Sequence, residues 1–491
     1  MTGPDPTPRF DEQNPARPAV PESRRIATSA GQLLVRRVFV QVLSALSTAV
    51  LARTLGVAGF GNFAAGLAMY YLALSVCDFG FGSVLARELG SGRADDGGVV
   101  RSMLRVQTSW SVAVGMGTVV FALAVGLSSP RLQVLMVLTP AVALFGLSGV
   151  RQVFYASYRT GRLGVIDVIT NALQLVVVSI VAVSGGGPVA VAIALSVMIL
   201  FNIAVVAVAG LRLIDADAST PAVRRQMLTH SLPIGISSLL ASAYFTLDLS
   251  IVGFLVASRE VGYYAAATKA LSLLVTVPGL VIAVSLAGLS AQAGDRFALG
   301  RLTARVWHWL AVSALPLCVA VLVYAPVVVR IYYGPAYGPA VPLVRILALS
   351  GIVAVLSNVF GATMVATRRN RWLVVQGAIA LSFNVAGNLL LVPRFGVTAS
   401  AWLTVATEVG VCAGSVIGIR HWLDLRPTLR VSVAPVAAAA AMAAVGMATV
   451  QWPVPSMVAA GAVFIAVLVL LGGWPEELPS PVPRCFAPGG R

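Results

Sequence analysis

The residues most able to do chemistry in this sequence are charged side chains inside long apolar segments. Glu408 lies at the middle of one segment, Asp248 and Lys269 lie in two consecutive segments, and Arg36 and Arg37 lie near the start of the first. An ionisable side chain at the centre of a membrane helix costs about 2.5–3.5 kcal/mol on insertion scales. Such residues indicate a site for an ion or a polar substrate, unless neighbouring helices neutralise them.

Glu408 is the deepest of these residues, and Thr404 lies one helical turn before it on the same face. No carboxylate can reach water by snorkelling from that depth. One interpretation is a carboxylate that binds a proton or a cation and lines a cavity. The other is a buried, protonated glutamate that is hydrogen-bonded to a neighbouring helix.

Asp248 and Lys269 flank the same predicted external loop, each about eight residues from it and hence about 12 Å below the surface. Two adjacent antiparallel helices can bring them together as a structural ion pair, which costs less than either charge alone. In the alternative interpretation, Lys269 faces a cavity and binds an anionic substrate, while Asp248 modulates it.

Two further pairs are candidates for lining a cavity. Arg36 and Arg37 point about 100° apart on a helix, so both cannot snorkel along the same face, and one is expected to face the bundle or a cavity. Asn384 and Asn388 are four residues apart and share a face. Hydrogen bonding between helices and lining of a cavity both remain open for the asparagines.

These residues must be positioned by membrane-spanning helices. The chain has 491 residues, of which 58% are hydrophobic and 11% charged, with a mean hydropathy of +0.90. Because a span needs about 20 apolar residues, the sequence predicts an all-α polytopic membrane protein with fourteen spans. They lie at residues 31–51, 60–82, 103–127, 132–150, 163–184, 188–211, 230–255, 262–291, 306–329, 341–366, 372–392, 396–419, 431–450 and 455–473.

The basic residues lie mainly on one side of this arrangement. If the N-terminus is cytoplasmic, the even-numbered loops and the two tails hold 24 of the 34 basic residues, and the odd-numbered loops hold five. This pattern predicts cytoplasmic termini. It also explains the net charge of +16 without nucleic acid as a partner. The basic residues are 33 arginines and one lysine in an Ala-, Val- and Gly-rich chain, which indicates a bacterial plasma membrane.

The hydrophilic stretches divide the chain into six, six and two spans. We predict a disordered cytoplasmic tail, a six-helix lobe, a cytoplasmic linker, a second six-helix lobe, two peripheral helices and a second tail, at residues 1–29, 30–211, 212–229, 230–420, 430–473 and 474–491. Phe60-Gly61-Asn62-Phe63-Ala64-Ala65 and Val261-Gly262-Tyr263-Tyr264-Ala265-Ala266 open equivalent spans of the two lobes. This repeat predicts a pseudo-twofold axis along the membrane normal, with a substrate site between the lobes.

No pattern typical of an enzyme is present. The three histidines lie near the ends of different spans, and no zinc, nucleophile or phosphate-loop motif occurs. The four cysteines form neither a disulfide framework nor a metal pair. We therefore expect neither catalysis nor a cofactor or metal centre.

Several motifs together resemble the oligosaccharide flippase family, whose superfamily also contains multidrug and toxin extrusion transporters and peptidoglycan-precursor flippases. The similar stretches, covering about residues 30–420, are Leu51-Ala52-Arg53-Thr54-Leu55-Gly56, Gly59-Phe60-Gly61, Asp78-Phe79-Gly80, Pro233-Ile234-Gly235, Asp248, Gly262-Tyr263-Tyr264-Ala265-Ala266-Ala267, Tyr333-Gly334-Pro335-Ala336-Tyr337 and Asn388-Leu389-Leu390-Leu391-Val392-Pro393-Arg394-Phe395-Gly396. The arginine-rich first span expected of a peptidoglycan-precursor flippase is not found.

The resemblance implies a transporter that flips a polyprenyl-diphosphate-linked oligosaccharide by alternating access. Its cationic candidates are Arg36, Arg37 and Lys269, and its ion-coupling candidates are Glu408 and Asp248. The expected partners are the lipid-linked substrate, membrane lipids, and a polysaccharide polymerase with glycosyltransferases; the protein itself is expected to be a monomer. A cation-coupled drug exporter of the same fold and a non-transporting scaffold for glycan assembly are the alternatives.

Overall fold

A computed structural model describes residues 22–90, 96–125, 129–156, 159–213 and 246–474. Helices account for nearly all of this part of the chain. They are α1 (Glu22–Asp78), α2 (Phe81–Gly90), α3 (Asp96–Val125), α4 (Ser129–Ala143), α5 (Arg151–Ala156), α6 (Thr160–Val183), α7 (Pro188–Leu211), α8 (Thr246–Leu255), α9 (Ser258–Ala291), α10 (Arg296–Tyr332), α11 (Val341–Ala366), α12 (Asn370–Phe395), α13 (Val397–Ile419), α14 (Arg426–Thr449) and α15 (Pro453–Leu470). Short 3₁₀ helices, Phe145–Val150 and Pro335–Ala340, precede α5 and α11.

The all-α polytopic class predicted from the sequence is confirmed. Ten described helices are long and apolar enough to cross a membrane, or twelve if each of two bent pairs is one span. One of the ten, Val35–Leu85, contains predicted span 2 and most of predicted span 1. Gly56 interrupts it with φ +66° and ψ 175°, a conformation that glycine adopts at little cost. Predicted span 7 is described only from Thr246 onward, so the count of fourteen stays a prediction.

The helices pack in two groups. In the N-terminal half, α1 packs on α4 and α6, and α7 packs on the same two helices. In the C-terminal half, α11 packs on α9, α10 and α13, while α12 packs on α13. The last two helices, α14 and α15, pack on each other and on α10. The described structure of α1 begins at Glu22, before the predicted boundary at residue 30, and the predicted linker and C-terminal tail lie almost entirely outside the described residues.

The two halves meet where α1 crosses α9, through two glycines at equivalent positions of the sequence repeat. A Cβ added to Gly61 would lie 1.8 Å from the Ser258 carbonyl oxygen, and one added to Gly262 would lie 2.2 Å from the Val57 carbonyl oxygen. Only residues without a side chain permit this backbone approach. The surface away from the contact is apolar, with Val120, Val183 and Leu390 at least 65% exposed, as a lipid-facing surface requires.

Candidate functional site

A cavity of about 780 Å³ with both apolar and polar lining, which we call the central cavity, lies between the two halves. Helices α1 and α6 line it on one side, and α8, α9, α11, α12 and α13 line it on the other. Five of the seven residues selected from the sequence line it, namely Arg37, Asp248, Lys269, Asn384 and Glu408. Hydroxyl and amide side chains, among them Ser44, Thr48, Gln174, Asn358 and Thr404, supply much of the remaining polar lining.

Lys269 is the cationic residue of the C-terminal half that lines this cavity. Its Nζ donates a hydrogen bond of 2.8 Å to Ser44 Oγ on α1, so the ammonium bridges the two halves. Among the described residues it has no carboxylate partner. Two of its three protons therefore remain available to a ligand in the cavity.

Asp248 lies in a cluster of oxygen atoms supplied by α8, α12 and α13. Thr404 Oγ1 donates to Asp248 Oδ2 at 3.0 Å, and Asn388 Nδ2 contacts Asp248 Oδ1 at 3.4 Å and Asn384 Oδ1 at 3.0 Å. Asn388 is fully buried, yet its Oδ1 has no donor within the described ranges. A buried acceptor without a donor is costly and suits a cation ligand, because hard cations take oxygen ligands.

The direct ion pair between Asp248 and Lys269 that the sequence suggested is not formed. The physical reason is the direction of each side chain: Asp248 turns toward donors on α12 and α13, whereas Lys269 turns across the cavity to α1. Both groups instead line the central cavity as separate charges. Of the two interpretations that the sequence left open, the ion pair is thus absent from this structure, and the role of Lys269 and Asp248 toward a substrate stays a prediction.

Glu408 lies on α13 one turn after Thr404, is only 9% exposed and lines the central cavity. It therefore shares a helical face with the cluster around Asp248. The two carboxylates share the C-terminal wall of the cavity with Lys269, whereas Arg37 lines the cavity from α1 in the N-terminal half.

Arg36 does not line the cavity. It belongs to a charge network within the N-terminal half, in which its Nη1 and that of Arg151 each lie 2.8 Å from Asp167 Oδ2. Asn202 donates to the same carboxylate at 3.4 Å and accepts from Arg151 at 2.6 Å. Asn388 is likewise absent from the lining and instead supports Asn384 and Asp248. Arg37, which follows Arg36 in the sequence, does line the cavity.

Arg131 connects the two halves at the end of the bundle that the arginine pattern predicts to be external. This side chain is 7% exposed and donates to the carbonyl oxygens of Gly253 and Val256, the latter at 3.0 Å. It also donates to Ser258 Oγ at 2.9 Å, and Ser258 in turn donates to Asn62 Oδ1 at 2.6 Å. Because Gly253 and Val256 are at the end of α8, Arg131 satisfies carbonyls that a helix terminus leaves without partners.

Aromatic residues extend this contact. Tyr337 donates to the Ala52 carbonyl oxygen at 3.1 Å, and its ring lies 6.2 Å from that of Phe60. Tyr332 donates to the Ala45 carbonyl oxygen. We call the Arg131 bonds and these aromatic contacts together the external contact.

Sequence reasoning missed part of this arrangement. Arg131 had the appearance of a loop residue, and only its place in an odd-numbered loop, where basic residues are rare, marked it as unusual. Asp167 lies within the predicted span at residues 163–184, and an acidic residue inside an apolar segment signals a partner. The Tyr333–Tyr337 motif was noted as a resemblance, but the contact of Tyr337 with α1 depends on tertiary structure.

Comparison with known proteins decides the family. The sequence matches the family described as polysaccharide biosynthesis protein over residues 50–342. The chain belongs to the polysaccharide biosynthesis protein family. No curated protein sequence matches it.

Solved structures similar to this polysaccharide biosynthesis protein are membrane transporters. The lipid II flippase MurJ in an inward closed conformation matches with a TM-score of 0.73 at 12% identity, covering 89% of this chain and 97% of that one. An inward-facing multidrug resistance MATE family transporter matches with a TM-score of 0.58 at 14% identity, covering 81% of this chain and 98% of that one. The eukaryotic MATE transporter AtDTX14 matches with a TM-score of 0.52 at 15% identity, covering 84% of this chain and 98% of that one. At these identities the likeness shows the shared fold, which is a bundle of many membrane-spanning helices.

Proposed function

We propose that this protein flips a polyprenyl-diphosphate-linked oligosaccharide from the cytoplasmic to the external leaflet of the membrane. The observation that carries the proposal is the central cavity, which is lined by two cations from opposite halves, by two carboxylates and by several hydroxyl and amide side chains. Membership of the polysaccharide biosynthesis protein family supports a glycan-linked substrate over other cargo.

The lining suits such a headgroup. A diphosphate needs cationic donors, which Arg37 and Lys269 supply from opposite halves. Sugar hydroxyls need both donors and acceptors, which the Ser, Thr, Asn and Gln side chains of the lining supply. The polyprenyl tail can remain in the bilayer because only the headgroup is polar.

Alternating access then consists of breaking the external contact while the opposite end closes. In the described conformation Arg131 joins the halves externally, so the substrate would enter from the cytoplasmic side. Lys269 and Ser44 form a second link between the halves, inside the cavity. A diphosphate that displaces Ser44 from Lys269 would loosen this link.

A coupling cation is best accommodated by the Asp248 cluster. Asp248, Asn384, Asn388 and Thr404 offer one negative charge and several neutral oxygens, a set suited to a proton or a monovalent cation. Glu408 is the second carboxylate within the same wall. Occupation of this cluster would change the packing of α8 against α12 and α13, and α8 also supplies the carbonyls that Arg131 binds.

We place the protein in the bacterial plasma membrane with both termini in the cytoplasm, as a monomer beside the glycosyltransferases and the polymerase of its pathway. The arginine pattern supports this orientation.

The test is mass spectrometry of polyprenyl-linked glycans from a deletion strain and its complemented parent. We expect a complete lipid-linked oligosaccharide to accumulate in the deletion strain and to clear on complementation. Complementation by Lys269→Ala at normal protein level should fail to clear it. Clearance by that variant would argue for a scaffold instead of a transporter.

A cation-coupled drug exporter is the second candidate, favoured by the two carboxylates in the central cavity, since carboxylates bind cationic drugs. The N-terminal half argues against it, because its buried carboxylate Asp167 is already neutralised by two arginines. An unchanged lipid-linked glycan pool together with increased drug sensitivity of the deletion strain would assign this function.

A further inference from the structure

A second cavity, of about 1140 Å³, lies where the helices of the C-terminal half end at the face that the arginine pattern predicts to be cytoplasmic. The end of α9, the start of α10 and the connections that follow α11 and α13 form it. Its lining includes Arg296, Arg368, Arg369, His421 and Trp422, and none of its described lining residues is acidic. We call this cavity the basic pocket.

Two of its arginines have donors to spare. Within the described ranges, the guanidinium groups of Arg296 and Arg368 make no hydrogen bond or ion pair, although Arg296 contacts the Phe297 ring at 5.3 Å. The neighbouring carboxylate of Asp295 is already occupied, since its Oδ1 accepts from the backbone N–H groups of Phe297 and Ala298 at 2.8 and 3.1 Å. Among the described residues, neither of the two guanidinium groups therefore has a carboxylate partner.

The third arginine is fixed in place. Arg369 lies over the Trp422 ring at 4.0 Å and donates to the Gly418 carbonyl oxygen at 3.1 Å. Trp422 is 62% exposed, a position typical of an aromatic side chain at the level of lipid headgroups. The pocket thus combines a fixed cation, two cations with available donors and an interfacial tryptophan.

Arg368 is also held in an unusual backbone conformation. Its φ of +58° lies in the left-handed region that favours glycine. Its N–H donates to the Val365 carbonyl oxygen at 3.0 Å, and that of Arg369 donates to the Met364 carbonyl oxygen at 2.9 Å, so the position ends α11 where glycine is usual. An arginine at this position costs stability relative to glycine, which indicates that its side chain serves a purpose other than folding.

We propose that the basic pocket binds the phosphate group of a lipid headgroup at the cytoplasmic leaflet. Planar guanidinium groups match phosphate oxygens with paired hydrogen bonds, and basic pockets between membrane helices bind anionic headgroups. The site is distinct from the central cavity, although α9, α11 and α13 line both. A lipid bound there would bias the positions of these three helices, whether or not the transported substrate is the one proposed above.

The experiment is native mass spectrometry of the purified full-length protein titrated with phosphatidylglycerol and, separately, with phosphatidylcholine. We expect phosphatidylglycerol to bind more tightly, and Arg296→Gln with Arg368→Gln to weaken its binding on the order of tenfold or more, because each arginine contributes about 1 kcal/mol near a charged headgroup. Charge-matched Arg105→Gln with Arg212→Gln, two exposed arginines of the N-terminal half, should change the affinity less than twofold. Equal losses in both double variants would overturn the proposal.

Arg368→Gly separates binding from folding. Glycine keeps the left-handed backbone without strain, so this variant should be at least as stable as the wild type while still losing lipid affinity. Retention of full affinity by Arg368→Gly and by the double variant would refute the site. Displacement of the lipid by inorganic pyrophosphate at the same concentration would show that the pocket selects a soluble phosphate and would overturn the lipid assignment.

Discussion

At the scale of single residues, Asp248 and its oxygen neighbours are the best place for a coupling ion. We expect Asp248→Asn to reduce the dependence of flipping on an imposed cation gradient by about tenfold, because a neutral amide no longer offsets the charge of the ion. The measurement is flipping of a labelled lipid-linked glycan in proteoliposomes, with sodium and proton gradients imposed separately.

Asp295→Asn is the matched control for this prediction, since Asp295 is an exposed N-cap and asparagine caps helices equally well. Glu408→Gln is the parallel test for the second carboxylate. If gradient dependence survives Asp248→Asn but is lost in Glu408→Gln, the coupling residue is Glu408 on α13 and not Asp248.

For Lys269, the ion-pair interpretation of the sequence and the structure predict different results for a double mutant. We expect Lys269→Met to lower the flipping rate at least tenfold and Ser44→Ala only a few-fold, because serine is a neutral partner that a diphosphate can replace. Since Asp248 and Lys269 do not pair, Asp248→Asn combined with Lys269→Met should give no rescue. Recovery of transport in the double variant would show that the pair forms in another conformation.

At the scale of helices, the crossing of α1 and α9 depends on Gly61 and Gly262. We expect Gly61→Ala to lower the free energy of unfolding by about 1–3 kcal/mol, because the added methyl group overlaps the Ser258 carbonyl oxygen. Thermal unfolding in detergent measures the change. Gly361→Ala on α11, whose added Cβ meets nothing within 4 Å, should be neutral or slightly stabilising, and an equal loss there would contradict the explanation.

The charge network of the N-terminal half joins α1, α5, α6 and α7. Asp167→Asn leaves two arginines without a counter-ion, and removal of one partner from a buried pair costs about 3–5 kcal/mol. Arg36 and Arg151 are 22% and 26% exposed, which reduces the expected loss to about 1–3 kcal/mol. A thermal midpoint unchanged from that of Asp295→Asn would show that the network does not stabilise the fold.

The sequence predicted helices better than it predicted contacts. Hydropathy located spans because every lipid-facing helix must be apolar along its length, and α10 to α15 match the predicted spans closely apart from extensions at their ends. Hydropathy could not predict which of Arg36 and Arg37 lines the cavity, because the rotation of α1 about its axis is determined by α6, where Asp167 lies. The same limit applies to Asp248, whose orientation toward Thr404 depends on how α8 packs against α13.

At the scale of the whole molecule, the repeat noted in the sequence contributes to the contact between the halves. Gly61 and Gly262 occupy equivalent repeat positions, and their backbones approach each other at the crossing of α1 and α9. The pseudo-twofold axis that the repeat predicts would pass near two equivalent positions that meet in this way. The sequence predicts such an axis from the repeat, but it does not predict the close backbone approach at this crossing.

We expect Arg131→Gln to open the external end. A shorter neutral side chain cannot reach the carbonyl oxygens of α8, so the halves should separate there more often. Distances between spin labels at Thr54 and Arg259, in a background without the native cysteines, report the separation. Arg394→Gln, which removes an exposed arginine of the predicted external side, should leave the distances unchanged, and equal broadening in both variants would remove Arg131 from this role.

The external contact also determines how often the empty protein changes state. Three bonds from Arg131 and one from Ser258 to Asn62 join the halves. At about 1 kcal/mol net for each bond, they favour the closed arrangement by about a thousand to one. A protein without cargo would therefore rarely complete a cycle, and little of the ion gradient would be dissipated by idle turnover. In the proposed transport cycle, substrate binding must then favour the opened state by a comparable free energy, and Arg131 supplies three of the four bonds counted here.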